Sequence, residues 1–129
     1  MDQSRPGAIE LYGKVKAAQA AVKANSYMVA VPEHLASDLA EVEIDSEEEF
    51  WALLPELLQE LETAGPGVCY RGWRPDPERS GEPEVNGLKL WPFVWASKKL
   101  GCEIYMKFCL KERKNGSLFY AHVRIHKNR

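Results

Sequence analysis

The chain reads as an α+β protein, with N-terminal helices packed on one face of a small antiparallel sheet that ends in a C-terminal β-hairpin. Three observations predict this. Apolar side chains recur at helical spacing up to residue 66 and at spacing two beyond residue 101. An Asn115-Gly116 pair, the sequence of a tight hairpin turn, divides the two strongest alternating runs. Charge divides with the pattern: residues 1–66 carry thirteen acidic side chains against four basic ones, and residues 67–129 carry thirteen basic against six acidic.

At 129 residues the chain fits a single domain, 1–129, with an acidic helical part (1–66) and a basic β part (67–129). Its 45% apolar and 28% charged residues are ordinary for a globular protein. No apolar run approaches the roughly 20 residues of a membrane helix, and Met1–Glu10 lacks the apolar core of a signal peptide. The expectation is therefore a cytoplasmic protein with no membrane partner. Cys69, Cys102 and Cys109 are odd in number and lack metal-type spacing, so they are expected as reduced thiols in or near the core.

Residues 6–25 predict a first helix, with Pro6 near its start and Ile9, Leu11, Tyr12, Val15 and Val22 among Ala17, Ala18, Ala20, Ala21 and Ala24. Tyr27–Val31 is short and β-prone and Pro32 ends it. Glu33–Ala40 is expected to make one or two helical turns, and Val42–Ile44 a short extended piece. Ser46 with Glu49 forms a capping box, and the helix behind it presents Phe50, Trp51, Leu53, Leu54, Leu57, Leu58 and Leu61 as a core stripe. Pro55 inside it predicts a kink or two abutting helices, and Gly65-Pro66-Gly67 ends it. Residues 75–87, rich in Pro, Gly and charge, read as a long loop. Strands are expected at Val68–Trp73, Leu88–Ala96, Cys102–Arg113 and Leu118–Lys127. In the second, Trp91, Phe93 and Trp95 are expected to pack on a helix, and Pro92 argues for an edge strand or a bulge.

The last two strands carry the functional reading. Cys102, Ile104, Met106, Phe108 and Leu110 alternate with Glu103, Tyr105, Lys107, Cys109 and Lys111, followed by Arg113. After the turn, Phe119, Ala121, Val123 and Ile125 alternate with Tyr120, His122, Arg124 and His126. A two-residue type I′ turn at Asn115-Gly116 would set Tyr105 opposite His126, Lys107 opposite Arg124, Cys109 opposite His122 and Lys111 opposite Tyr120. One face is then apolar and the other basic and His/Tyr-rich. Lys107 opposite Arg124 requires splayed side chains or an anion between them, because directly opposed like charges destabilise a sheet.

Cations neutralise phosphates, and interleaved aromatic rings give bases a surface to stack on. Metal-independent RNA cleavage further needs a base, an acid and positive charge at the phosphorus. Tyr105, Lys107, His122, Arg124 and His126 supply those residue types as candidate catalytic groups. Arg71, Arg74, Lys111, Arg113, Tyr120, Lys127 and Arg129 are the accompanying candidates for RNA contact. A second basic-aromatic cluster, which adds Tyr70, Trp73 and Arg79 to Arg71 and Arg74, either extends the anion site or anchors the loop. No metal or other cofactor is implied: His122 and His126, four residues apart on a strand, are separated by about 13 Å. The chain also lacks a Gly-rich phosphate loop, GxSxG and HExxH.

Two stretches carry a family resemblance. In Gly101-Cys102-Glu103-Ile104-Tyr105-Met106-Lys107-Phe108 a glycine leads into a strand tyrosine and then a lysine between hydrophobic residues, and the final strand ends at His126-Lys127. This resembles the RelE-like and motility quorum-sensing regulator-like mRNA interferases of toxin–antitoxin systems. The resemblance implies an endoribonuclease neutralised by an antitoxin protein, with Tyr105 and either His126 or Lys127 contributing to cleavage. Two further readings stand beside it: a non-catalytic module holding nucleic acid or an acidic protein, and a homodimer that covers the hairpin face.

Overall fold

The computed structural model describes residues 6–71 and 89–128. Among them the chain forms α1 (Ala8–Lys23), β1 (Tyr27–Val29), α2 (Pro32–Glu41), α3 (Glu47–Ala64), a single-turn α4 (Pro66–Cys69), β2 (Trp91–Ser97), β3 (Cys102–Glu112) and β4 (Leu118–Lys127). The sheet order is β1-β4-β3-β2. The fold is α+β, as the sequence implies, but the sheet is mixed: β1 joins β4 in parallel, while β2–β3 and β3–β4 are antiparallel.

Each helix follows from local chemistry. The Ser46 hydroxyl accepts the Glu49 N–H at 3.0 Å, and the Glu49 carboxylate accepts the Asp45 N–H at 2.7 Å. This reciprocal cap satisfies donors that the first turn leaves orphaned. α3 then runs unbroken through Pro55, where a kink or break was expected. Proline removes one backbone bond on the exposed side, while Phe50, Leu54, Leu57, Leu58 and Leu61 hold the other side of the helix in the core. Pro32, which ends β1 in the sequence reading, instead opens α2, where its fixed φ and missing N–H cost nothing. Val42–Ile44 is not extended: Val42 caps α2, and Glu43 takes a left-handed φ of 63° that turns the chain toward α3. Val68 and Cys69 lie in α4 rather than in a strand, and Tyr70 makes only an isolated bridge to Phe93.

Leu11, Val15, Ala18 and Val22 of α1 and the buried stripe of α3 meet the inner face of the sheet. That face is built from Trp91, Phe93, Trp95, Ile104, Met106, Phe108, Tyr120 and Ile125. The aromatic alternation of β2 is thus core, and β2 with its Pro92 is an edge strand. The Glu60 carboxylate on α3 fixes the β2–β3 connection by accepting from the Trp95 indole, the Ser97 hydroxyl and the Lys99 N–H. A smaller apolar cluster lies on the outer face: Ala30, Val31, Leu90, Cys109, Ala121 and Val123.

β4 is much longer than its neighbour β1, and α2 closes the rest of its edge. Asp38, only 3% exposed, accepts from the Arg124 Nε and Nη2 at 2.8 Å each and from the Ile125 N–H at 3.2 Å. One turn on, Glu41 accepts the Lys127 N–H at 3.0 Å. Carboxylates take the place of a partner strand along an edge that would otherwise offer backbone donors to another chain. Replacing Asp38 with Ala should lower stability by roughly 2–3 kcal/mol. This is less than a fully buried pair would lose, because Arg124 retains partial solvation. A fall in the urea midpoint at constant m-value checks it, and an unchanged midpoint would mean that α2 is held mainly by its apolar contacts.

Candidate nucleic-acid interface

The hairpin that presents the basic residues is real, but its register differs from the one a two-residue turn imposes. Gly116 donates its N–H to the Arg113 carbonyl at 2.9 Å, and the Arg113 N–H bonds the Ser117 carbonyl at 2.7 Å. The loop therefore holds three residues, Lys114 to Gly116. Gly116 alone takes the left-handed conformation, with φ 88°, whereas a type I′ turn would need it at Asn115 as well. Asn115 instead uses its side-chain oxygen to accept the Ser117 N–H and hydroxyl at 3.0 and 2.7 Å.

The extra loop residue shifts the pairing near the tip: Phe108 meets His122, Cys109 meets Ala121, Leu110 meets Tyr120 and Lys111 meets Phe119. A β-bulge follows between Lys107 and Phe108, with Val123 as the additional residue of β4. Beyond it the expected pairs return, Lys107 with Arg124 and Tyr105 with His126.

The loop and the bulge together decide where each candidate goes. His122 and Tyr120, expected on the basic face, lie on the inner face and are 1% and 0% exposed. The Tyr120 hydroxyl and His122 Nδ1 share a hydrogen bond of 3.0 Å, and the His122 ring packs on Phe50 at 4.6 Å. Neither side chain can reach RNA from this position. Lys127 pairs with Ile104, which assigns it to the inner side at the exposed end of the sheet.

Arg124 stays opposite Lys107, but Asp38 draws its guanidinium to the strand edge. The anion that the Lys107–Arg124 juxtaposition requires is thus an internal carboxylate. Burial pushes the Asp38 carboxyl up, but the Arg124 and Ile125 hydrogen bonds outweigh this and hold it below the usual carboxylate range. Arg124 is accordingly a structural clamp for α2, and the phosphate-binding role expected for it has a built-in competitor.

What remains on the outer face falls into two patches. At the base, the rings of Tyr105 and His126 stack with centroids 4.9 Å apart and planes 11° from parallel, next to half-buried Lys107. His126 Nδ1 donates to the Lys127 carbonyl at 2.8 Å, which makes Nε2 the lone-pair nitrogen of the neutral ring. Burial raises the Tyr105 phenol above its ordinary value, partly offset by Arg124, so it keeps its proton at neutral pH. At the tip, exposed Lys111 and Arg113 both lie over the Phe119 ring, 5.9 and 4.9 Å from its centroid. Between the patches Cys109 and Ala121 are fully buried.

Arg71 is exposed and directs its guanidinium to the carbonyls of Val68 and Tyr70, away from the hairpin. Arg74, Arg129, Trp73, Arg79 and the 75–87 loop lie outside the described residues. Among the described residues no three His, Cys, Asp or Glu side chains are placed to hold a metal ion, and no helix is long and apolar enough to cross a membrane. A groove of about 750 Å³ between α2 and the start of α3 is lined by Glu43, Asp45 and Glu47, the wrong sign for a phosphate ligand. Phe119, on which both tip cations converge, was read from the sequence as a core residue, because strict alternation assigns it to the apolar face. No family model, no curated protein and no solved structure matches this chain.

Burial holds the His122 imidazole down to about 3 from its ordinary 6.5, the Arg124 charge adding to this and Asp38 opposing it. Its contribution to stability is complete above pH 6.5 and is lost as the pH falls from there toward 3, because the unfolded chain takes the proton first. The wild type should lose roughly 3 kcal/mol between pH 7 and pH 4 from this group. His122→Phe should flatten that limb, leaving the losses from Asp38, Glu60 and Glu62, whose lowered carboxyls act below about pH 4.5. Urea titrations at several pH values measure it, and an identical acid slope in the variant would rule out His122 as the source.

Proposed function

We propose that the outer face of the β3–β4 hairpin binds RNA through its phosphates and bases. The observation that carries this reading is the pairing of exposed Lys111 and Arg113 over Phe119, on the same side of the hairpin as Lys107 and the Tyr105–His126 stack. Among the outward-facing residues of β3 and β4 the one acid is Glu103, at the base beyond Tyr105, where it accepts a hydrogen bond from Asn128. Cations supply the sequence-independent attraction, and rings supply stacking worth about 1–3 kcal/mol per base.

Cleavage is a second reading, favoured by the Tyr105–His126 contact and consistent with the toxin-like strand motif. In it the His126 imidazole would take the 2′-hydroxyl proton through Nε2, and the protonated Tyr105 phenol would hydrogen-bond the phosphate or donate to the leaving oxygen. Lys107 would be the nearest cation to the phosphorus. An antitoxin-type protein covering this face belongs to the same reading, whereas a second copy of the chain covering it would serve assembly alone and leave RNA no access.

Incubating the protein with labelled RNA in excess EDTA separates the two. Salt-sensitive binding without products supports the binding module. Products that disappear in both Tyr105→Phe and His126→Ala, with binding retained, support the nuclease. Neither binding nor cleavage would dismiss both.

A further inference from the structure

The basic residues of the hairpin form two sites rather than one, and their spacing sets a minimum ligand length. Cys109 and Ala121, the cross-strand pair between the sites, are 0% and 1% exposed, so the middle of the outer face offers no contact surface. Lys107 and Lys111 are four residues apart on β3, about 13 Å at 3.3 Å per residue; from Tyr105 to Arg113 the span is about 26 Å. A fully extended single strand advances about twice the 3.4 Å per nucleotide of a stacked one, so the roughly 26 Å from Tyr105 to Arg113 takes about four steps, or five nucleotides.

The shapes of the two sites differ as well. At the base the stacked Tyr105 and His126 rings occupy each other's inner faces, leaving no room for a base between them. Their outward faces and edges can meet an unpaired base. At the tip the Phe119 ring is overlaid by Lys111 and Arg113, which suits a phosphate more than a base. A duplex presents its bases only at groove edges and gives such rings nothing to stack on.

We infer that the ligand is an extended single strand of at least five or six nucleotides, bridging a ring-bearing base site and a cationic tip site across a closed centre. This rests on the RNA-binding reading and adds to it a strandedness and a length. Two weak contacts joined by one chain give an affinity well above either alone, provided that the chain reaches both.

The test is a length series of fluorescein-labelled oligouridylates of three, six and nine nucleotides, with a nine-base-pair RNA duplex, titrated into the intact protein at several salt concentrations. The trimer should bind weakly, and the hexamer at least tenfold more tightly. The nonamer should add little and the duplex should bind less well than the hexamer. In Lys111→Ala/Arg113→Ala the step between trimer and hexamer should vanish while trimer binding persists, and the hexamer salt slope should flatten by about 1.4. Both positions are exposed at the loop, and circular dichroism confirms that the variant keeps its fold. Equal affinity for trimer and hexamer, a preference for duplex, or a length step that survives the double substitution would overturn the inference while leaving RNA binding standing. No salt-sensitive binding at any length would overturn the RNA-binding reading and this inference together.

Discussion

β3 buries its even-numbered side chains, and β4 carries a second alternating series that can be joined to it in only two parities. The three-residue loop selects one parity near the tip, and the bulge at Val123 restores the other beyond it. Together the loop and this extruded residue settle the environment of every polar group on β4. Tyr120 and His122 turn inward, Arg124 reaches the edge and His126 faces outward. The inner face gains two rings where Ala121 and Val123 would otherwise sit. Tyr120 stacks on Phe108 at 5.1 Å, and His122 fills the space against Phe50 and Trp51. The larger rings close the gap between sheet and α3 at a density that alanine and valine could not provide. The accompanying cost is a buried His122 Nε2 with no hydrogen-bond partner, of order 1–3 kcal/mol.

The displaced small residues account for the second apolar cluster. Ala121, Val123 and Cys109 face outward and pack with Ala30, Val31 and Leu90. Ala30 and Val31 lead directly from β1 into α2, so the same stretch that fills this cluster also delivers Asp38 to the β4 edge. The bulge and the Asp38 clamp are neighbours in the structure for that reason. A bulge bends and twists its strand, and here the strand leaves β1 behind it and continues against a helix.

Element positions were largely legible in the sequence, and side assignments near the bulge were not. β4 matches its expected span, and α1, β2, β3 and the capped α3 fall within a few residues of theirs, because periodicity and capping are local signals. The pairing of Tyr105 with His126 and Lys107 with Arg124 was also legible, although two compensating irregularities produce it rather than a uniform register. The burial of His122 and Tyr120 was hidden because Asn-Gly is compatible with more than one loop length, and a bulge leaves no mark in an alternating pattern. Asp38 was hidden for a different reason. One of three acidic residues on a ten-residue helix looks like ordinary surface charge until its distance to a strand 86 residues later is known. The parallel pairing of β1 shares this non-local origin.

These placements limit the chemistry of the outer face. The string Tyr120, His122, Arg124, His126 looks in the sequence like four functional groups on one surface, yet Tyr120 and His122 are buried, Arg124 is bound to Asp38 and His126 stacks its outward ring on Tyr105. Cleavage of a phosphodiester asks for a base, an acid and a cation at one phosphorus. His126, Tyr105 and Lys107 lie side by side, but the two rings are stacked face to face, and a ligand would have to part them to set acid and base on opposite sides of one phosphorus. Binding asks less: cations and ring faces on the same side of a rigid hairpin, at a spacing that a flexible polyanion can follow. The geometry of the isolated chain satisfies that condition as it stands, which is why binding ranks ahead of cleavage on physical grounds.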